Sequence, residues 1–352
     1  MKTVAVIGCG RIADRAHLPA LSAMEDVRIK YACDILPEKA QAAKEKYPKI
    51  EQVITDYHVA LADPQVDAVF VLTPNFAHYT ITMEALKAGK HVLCEKPITV
   101  NYALSCEMAQ QAAASGRMLC IGVCNRHHRS VELLEQMVRE GRFGNLYQVC
   151  CSFRSFRSIP GLGGAFTTRA QSGGGVLIDW GIHFLDLILY VLGNAKLRTV
   201  SCNAYNEMAK DMKAYRYTSM WAEDTADIAH GTNDVEDFVT GYVRTDKANI
   251  TFAGAWAQNI GEEEMRIDFL GDKGGARLNY GGQFTFWDGS TLQAETSAHE
   301  IPDMYAEEDK AFFRSIDSGV KDKNHIDYVL ESARLLQALY DSSEKDAEVQ
   351  LG

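Results

Sequence analysis

Asp179 and His183 stand four residues apart, directly behind Gly173-Gly174-Gly175. A helix beginning near Ile178 puts both on one face, one turn apart. A carboxylate at that distance orients an imidazole and raises its basicity, which suits a general base near neutral pH. Taken alone, the spacing is more often that of a helix-capping aspartate and a satisfied core histidine. Lys96 is a second candidate. It follows the apolar run 91–94 and Glu95 and precedes Pro97, which restricts the turn. A cation fixed there can hydrogen-bond a hydroxyl and stabilise the alkoxide-like charge that develops during oxidation. A lone Lys-Pro is otherwise an ordinary surface loop.

The elements that must position these groups alternate between strand and helix through the N-terminal third. Residues 4–7 are a short β-branched run, as in a strand covered on both faces. Gly8-Cys9-Gly10-Arg11-Ile12-Ala13 follows, then a helix-compatible stretch. In that context G-x-G-x-x-(G/A) is a dinucleotide-binding turn, with the pyrophosphate at the helix N-terminus and Gly8, Gly10, Arg11 and Ile12 against it. A second strand, 28–33, ends at Asp34, near the spacing of about 20 residues expected for the acid that accepts the ribose hydroxyls. Asp34 repels a 2'-phosphate, and Ile35 and Leu36 supply no cation, so NAD is favoured over NADP.

Further helices are predicted at 37–47, 57–62, 79–88 and 101–115, and strands at 53–54, 68–72, 91–94 and 118–123. Thr73-Pro74-Asn75 and His78 follow one of these strands at its carboxyl end, where open parallel sheets bind ligands.

The 352 residues carry a formal net charge of -11, with 47% hydrophobic and 24% charged residues. The length predicts two domains and the composition a globular fold with a large core. Net acidity argues against nucleic acid or an anionic membrane as main partner. No apolar run approaches membrane-spanning length, and the run 4–7 is too short for a signal-peptide core. Nine cysteines are scattered, mostly in apolar runs, with none in a C-x-x-C pair. They read as reduced core thiols of a cytoplasmic protein rather than disulfides or metal ligands.

Together these pieces resemble the Gfo/Idh/MocA family of NAD(P)-dependent sugar and polyol oxidoreductases. The motifs that carry the likeness are Gly8-Cys9-Gly10-Arg11-Ile12-Ala13, Thr73-Pro74-Asn75-x-x-His78, Glu95-Lys96-Pro97, and Gly173-Gly174-Gly175-x-x-x-Asp179-x-Gly181-x-His183. The resemblance implies an α/β chain: a Rossmann domain, 1–123, then an α/β domain, 124–352, with an open, mostly antiparallel sheet, the late helices free to return to the first domain. It implies NAD(P) bound in the first domain, through the glycine turn, Asp34, Thr73, Pro74, Asn75, His78, Glu95, Lys96 and Asn125. A sugar or polyol substrate lies between the domains, and Lys96, Asp179 and His183 are catalytic. It also implies a homodimer or homotetramer paired through the open sheet. Trp180, at a variable position of the last motif, is equally suited to stack on a sugar face or to pack.

Beyond the first domain, Asn125-Arg126-His127-His128-Arg129 follows the last Rossmann strand. His127-His128 lacks a third ligand at metal spacing, and no metal is expected. Arg126, Arg154, Arg157 and Arg169 are candidates for polar or acidic groups of a substrate. Residues 159–172 form a loop into the catalytic stretch. From 196 to 287 the pattern is of short strands, interrupted by 208–233, which reads as an insertion over the cleft or at a subunit contact. Helices 305–318 and 324–342 end the chain. Two other readings stay open: an enzyme that retains NAD to cleave glycosides, and a non-catalytic sugar sensor.

Overall fold

A computed structural model describes every residue except Asn194, Gly281 and 298–302. The chain divides into two units, Met1–His127 with Pro302–Leu330, and His128–Ile301 with Glu331–Gly352.

The first unit is built on six parallel strands: β1 (Lys2–Ile7), β2 (Val27–Cys33), β3 (Ile50–Ile54), β4 (Ala68–Val71), β5 (His91–Glu95) and β6 (Leu119–Gly122). Their order is β3-β2-β1-β4-β5-β6. The order reverses between β1 and β4, which makes the carboxyl ends of those strands the crevice where such sheets take ligands. The helices between them are α1 (Leu18–Ala23), α2 (Pro37–Lys46), α3 (His58–Ala62), α4 (His78–Lys87) and α5 (Tyr102–Ser115). Asn101 caps α5, its side chain accepting from the amide of Ala103 at 2.8 Å. Both faces of the sheet are covered: Val4, Val6, Phe70 and Leu93 on one and Ala5, Val69, Val71 and Val92 on the other are fully buried. α9 (Met304–Ser318) also belongs here, and its Phe312 packs edge-on against Phe70.

The second unit holds a nine-stranded sheet in the order β14-β13-β12-β11-β7-β10-β9-β8-β15. In chain order its strands are β7 (Leu146–Arg154), β8 (Leu197–Tyr205), β9 (Phe238–Thr245), β10 (Asn249–Ala255), β11 (Glu264–Gly271), β12 (Gly274–Asn279), β13 (Phe284–Asp288), β14 (Ala294–Ser297) and β15 (Val349–Gln350). All pairings are antiparallel except β7 with β10. On β7, Val149, Cys151 and Phe153 point into the core, the period of two expected of a sheet with one packed face. α6 (Arg129–Arg139) and α8 (Ile182–Val191) cover that face, and Phe184 stacks on Phe153 at 5.0 Å.

The opposite face carries a ladder of ion pairs, with Leu270 and Trp287 exposed on the same side. Arg154 pairs with Glu264, Arg266 with Glu264 at 2.6 Å, and Arg277 with Asp268 at 2.6 Å.

Two details differ from the sequence reading. The helix expected from Ile178 is composite: a short α7 (Arg169–Ser172), the three glycines, a widened π turn over Leu177–Gly181, then α8. The stretch Arg169–Val191 is also long and apolar enough to cross a membrane, with a mean hydropathy of 1.5. However, 78% of that window is buried in the protein, as in the core helix of a globular unit. The last helix, α10 (Ile326–Lys345), spans both sequence blocks of the division. All nine cysteines are free, and burial pushes the thiols of Cys33 and Cys202 up to about 12.

Candidate active site

The nucleotide turn comes first along the chain. Gly8 has φ +95°, and a Cβ there would sit 2.5 Å from the carbonyl oxygen of Leu72, so only glycine fits between β1 and β4. Beyond Gly10, by contrast, a Cβ would meet nothing within 4 Å. That open space beside a helix start at Arg11 is what a pyrophosphate needs. Asp34 braces the turn: its two oxygens accept the amides of Cys9 and Leu36, each at 2.9 Å. Each carboxylate oxygen keeps a second lone pair for a ribose hydroxyl. At the end of β4 the hydroxyl of Thr73 is buried without a hydrogen-bond partner, an unmet donor beside the turn. These residues fit a dinucleotide. Lys39, which the sequence reading overlooked, lies close enough to Cys9 to act on its thiol.

His78 has a different job from its expected contact with cofactor. The ring is fully buried, with Nδ1 2.8 Å from the carbonyl of Pro97 and Nε2 2.9 Å from that of Thr73. Burial opposes a charge there, but the neighbouring Cys94 and the two carbonyl acceptors outweigh it and push the ring up to about 9. His78 therefore ties the Thr73 turn to the Lys96–Pro97 turn, whose peptide bond is cis. Glu95 is buried, and its Oε2 accepts the backbone amide of Lys96 at 2.9 Å. The Lys96 side chain itself keeps partial exposure at the carboxyl end of β5.

In the second unit, burial singles out the candidates. From Gly174 to Leu189 every residue is buried except Asp179, Trp180 and His183. The turn that delivers them is held by Glu236, a residue sequence reasoning missed. One oxygen, Oε1, accepts the amides of Gly175 at 2.8 Å and Leu177 at 3.1 Å and the hydroxyl of Tyr340 at 2.8 Å. A Cβ on Gly174 would fall 2.0 Å from the Tyr340 hydroxyl oxygen, and one on Gly175 1.9 Å from the Glu236 carbonyl oxygen. The glycines are there for close approach. Asp186, also unremarked in the sequence, is buried and accepts the hydroxyl of Ser332 at 2.6 Å.

The other candidates disperse. Arg126 is buried in the first unit and donates to the carbonyls of Lys323 at 2.6 Å and Tyr328 at 3.0 Å. His127 approaches Asp322 at 3.5 Å, while His128 caps α6 through the amide of Ser130, so the two imidazoles serve separate elements. Arg154 belongs to the ion-pair ladder. Arg157 has φ 54°, uncommon outside glycine, and lies over the Tyr215 ring beside Asn259. Arg169 faces Glu344 at 3.8 Å. Residues 208–233 are irregular and anchored within the second unit: Asp237 accepts the amide of Met208 at 2.6 Å, and Thr218 binds the Arg157 carbonyl.

Comparison with known proteins identifies this arrangement. Residues 2–123 match the oxidoreductase family with an NAD-binding Rossmann fold, and 131–277 match the Gfo/Idh/MocA C-terminal domain. A D-glucoside 3-dehydrogenase of Escherichia coli (strain K12) is 30% identical over 99% of this chain and 97% of its own length. The chain belongs to the Gfo/Idh/MocA family. It is an NAD-dependent oxidoreductase, as the family's domains require. Its fold is shared along the full length by solved members. A levoglucosan dehydrogenase in complex with NADH and levoglucosan has a TM-score of 0.86 at 19% identity, covering 99% of each chain. An aldose-aldose oxidoreductase from Caulobacter crescentus has 0.83 at 23%, again covering 99% of each.

Proposed function

We propose that this Gfo/Idh/MocA member oxidises a secondary ring hydroxyl of a glucoside or closely related sugar to a ketone, reversibly, at the 3-position. The observation that carries the reading is the selective exposure of Asp179, Trp180 and His183 in an otherwise buried stretch. Full-length similarity to a D-glucoside 3-dehydrogenase supports the substrate class. Bound NAD+ supplies the hydride acceptor. His183 removes the hydroxyl proton, Asp179 orients and tunes the imidazole, and Lys96 holds the hydroxyl oxygen as negative charge develops. Trp180 offers a flat apolar face to the sugar ring.

A screen of methyl glucosides, levoglucosan, myo-inositol and free aldoses with NAD+, followed by NADH absorbance, tests this. Methyl β-D-glucoside should be turned over and its 3-deoxy analogue should not. Equal turnover of the two removes the 3-position, and no turnover of any sugar by protein that binds NAD+ removes the activity.

We further propose a homodimer or homotetramer in the cytoplasm. Nine free thiols suit a reducing compartment. The open sheet, with its ion pairs beside exposed Leu270 and Trp287, is the face proposed for pairing. Light scattering at micromolar concentration that returned a monomer would contradict the assembly.

A further inference from the structure

Behind the Lys96 turn, within the first unit, lies a buried charge array that joins Glu95 of the Glu95-Lys96-Pro97 motif to His17, Glu308 and Asp309, which stand outside the motifs. His17 closes the widened turn Ala13–His17 that follows the nucleotide loop, and it is completely buried. Its Nδ1 lies 2.9 Å from an oxygen of Asp309 and its Nε2 3.1 Å from Oε1 of Glu95. Phe70 and Tyr305 close around the ring edge-on, each at 5.7 Å. Glu308 is buried beside it, one oxygen accepting from Asn324 at 2.6 Å and the other without a partner.

A neutral imidazole has one N–H and would turn a lone pair toward one of the two carboxylates. Only the imidazolium donates at both nitrogens. Although burial opposes its charge, Asp309 and Glu95 together hold the ring well above its ordinary value. Burial and the Glu95 charge push the carboxyl of Glu308 well above the usual carboxylate range, against the pull of His17. A buried ionic array costs desolvation that apolar residues of similar shape would avoid. What it provides here is connectivity. Glu95 spends Oε1 on the ring and Oε2 on the amide of Lys96, and its carboxyl carbon is packed so closely that a Cβ on Gly122 would lie 2.9 Å away.

We propose that His17 is a positioning residue for the reaction: clamped by Asp309, it fixes Glu95, and through Glu95 the backbone that presents Lys96. The inference rests on the role given to Lys96 above. The donor atoms of His17, Glu95 and Glu308 lie within 4.8 Å of one another, which is also near enough for a small cation. The doubly paired ring commits the array to a proton instead.

A double-mutant cycle on the intact chain tests it, with His17→Gln, Lys96→Met and the pair. The readouts are kcat with methyl β-D-glucoside and NAD+, Kd for NAD+, the thermal midpoint and bound metal by mass spectrometry. A displacement of about 1 Å in a catalytic group costs roughly 100-fold. His17→Gln should therefore lower kcat by about 10–100-fold with Kd for NAD+ changed less than about threefold. In the Lys96→Met background the same change should cost less than about threefold, because the group being positioned is gone. An equal loss in both backgrounds overturns the proposal, as does a matching loss of NAD+ affinity or stoichiometric metal in the wild type. Lys96→Met with wild-type kcat instead overturns the assignment of Lys96, and this inference with it. Should His17→Gln fail to fold, Asp309→Asn in the same cycle carries the same expectations.

Discussion

Each unit presents part of the proposed chemistry on backbone held by a buried glutamate, but the two glutamates are held in opposite ways. Glu95 has an ionic partner, the His17 ring, which itself leans on Asp309. Glu236 has only neutral donors, all gathered on one oxygen, while its other oxygen is buried and unpaired. An opposite charge and donated hydrogen bonds both favour a carboxylate's charged form, while burial opposes it. Burial accordingly raises the carboxyl of Glu236. The first brace works by charge and fixes two oxygens in two directions. The second works by fit, on a backbone stripped of side chains so that Glu236 and Tyr340 can come close.

The largest effects should fall on what the braces hold. Losing an acid–base group typically costs about 10²–10⁴-fold. His183→Ala should lose kcat in that range, with Lys96→Ala comparable and Asp179→Asn smaller, all with NAD+ affinity and thermal midpoint nearly unchanged. A capping aspartate and a core histidine would give the reverse: lost stability and near-normal turnover per folded molecule. Measuring kcat and midpoint on the same variants separates the two.

The same substitution should then cost different amounts in the two braces. Glu236→Gln keeps a carbonyl oxygen for three neutral donors and should lose no more than about 1 kcal/mol. Glu95→Gln leaves the His17 imidazolium short of a counter-charge, and breaking a buried pair costs about 3–5 kcal/mol. Urea unfolding of both variants at pH 7 compares them directly, and equal losses would erase the distinction between ionic and neutral braces.

The candidate site was legible in sequence where one short stretch supplies both the local geometry and the residue types. Gly8-Cys9-Gly10, Glu95-Lys96-Pro97 and the Asp179–His183 spacing are local, because backbone freedom and side-chain periodicity act over a few residues. The braces were not legible. Glu236 reaches the glycines from about 60 residues away and Asp309 reaches His17 across 292. No local pattern announces such pairings. A weak signal did exist: three consecutive glycines leave room for something large, and His17 sits among Ala16, Leu18 and Leu21 on the buried side of its helix. The strand pattern after residue 196 gave the antiparallel sheet, but alternation alone could not tell an ion-pair face from an apolar one. The widened turn before α8 was likewise hidden, since α and π turns both keep Asp179 and His183 on one side.

Neutral bracing predicts a pH dependence in the second unit. Asp237, next to Glu236, is buried, and burial lifts its carboxyl from 3.8 to about 6 despite the amides of Met208 and Glu207 that it accepts. Between those values the folded chain keeps a proton that the unfolded chain has released. The associated stability is complete below about pH 4 and is lost as pH climbs through 6, a change of about 3 kcal/mol. Asp237→Asn carries no such proton. Its stability relative to wild type should improve by about that amount between pH 4 and 6.5, read by urea unfolding across the range. A constant difference would mean that Asp237 is charged in the folded protein.

The smallest effect concerns a carboxylate that braces and binds at once. Asp34 already accepts two amides, as Glu236 does, but it is partly exposed and has lone pairs left for a ribose. Its charge should repel a 2'-phosphate, so wild type should bind NAD+ more tightly than NADP+. Asp34→Ala removes both the ribose acceptor and the repulsion, and the gap should narrow by roughly tenfold, about 1.4 kcal/mol. Lys39 then decides what remains. It is exposed and its charge acts on Cys9 of the same turn, so it should become available to a 2'-phosphate once Asp34 is gone. Adding Lys39→Ala to Asp34→Ala should therefore weaken NADP+ while leaving NAD+ unchanged. Calorimetric titration of the four proteins with both nucleotides reads each step. Tighter NADP+ binding by wild type would show that Lys39 outweighs Asp34, reversing the cofactor preference assigned to this turn.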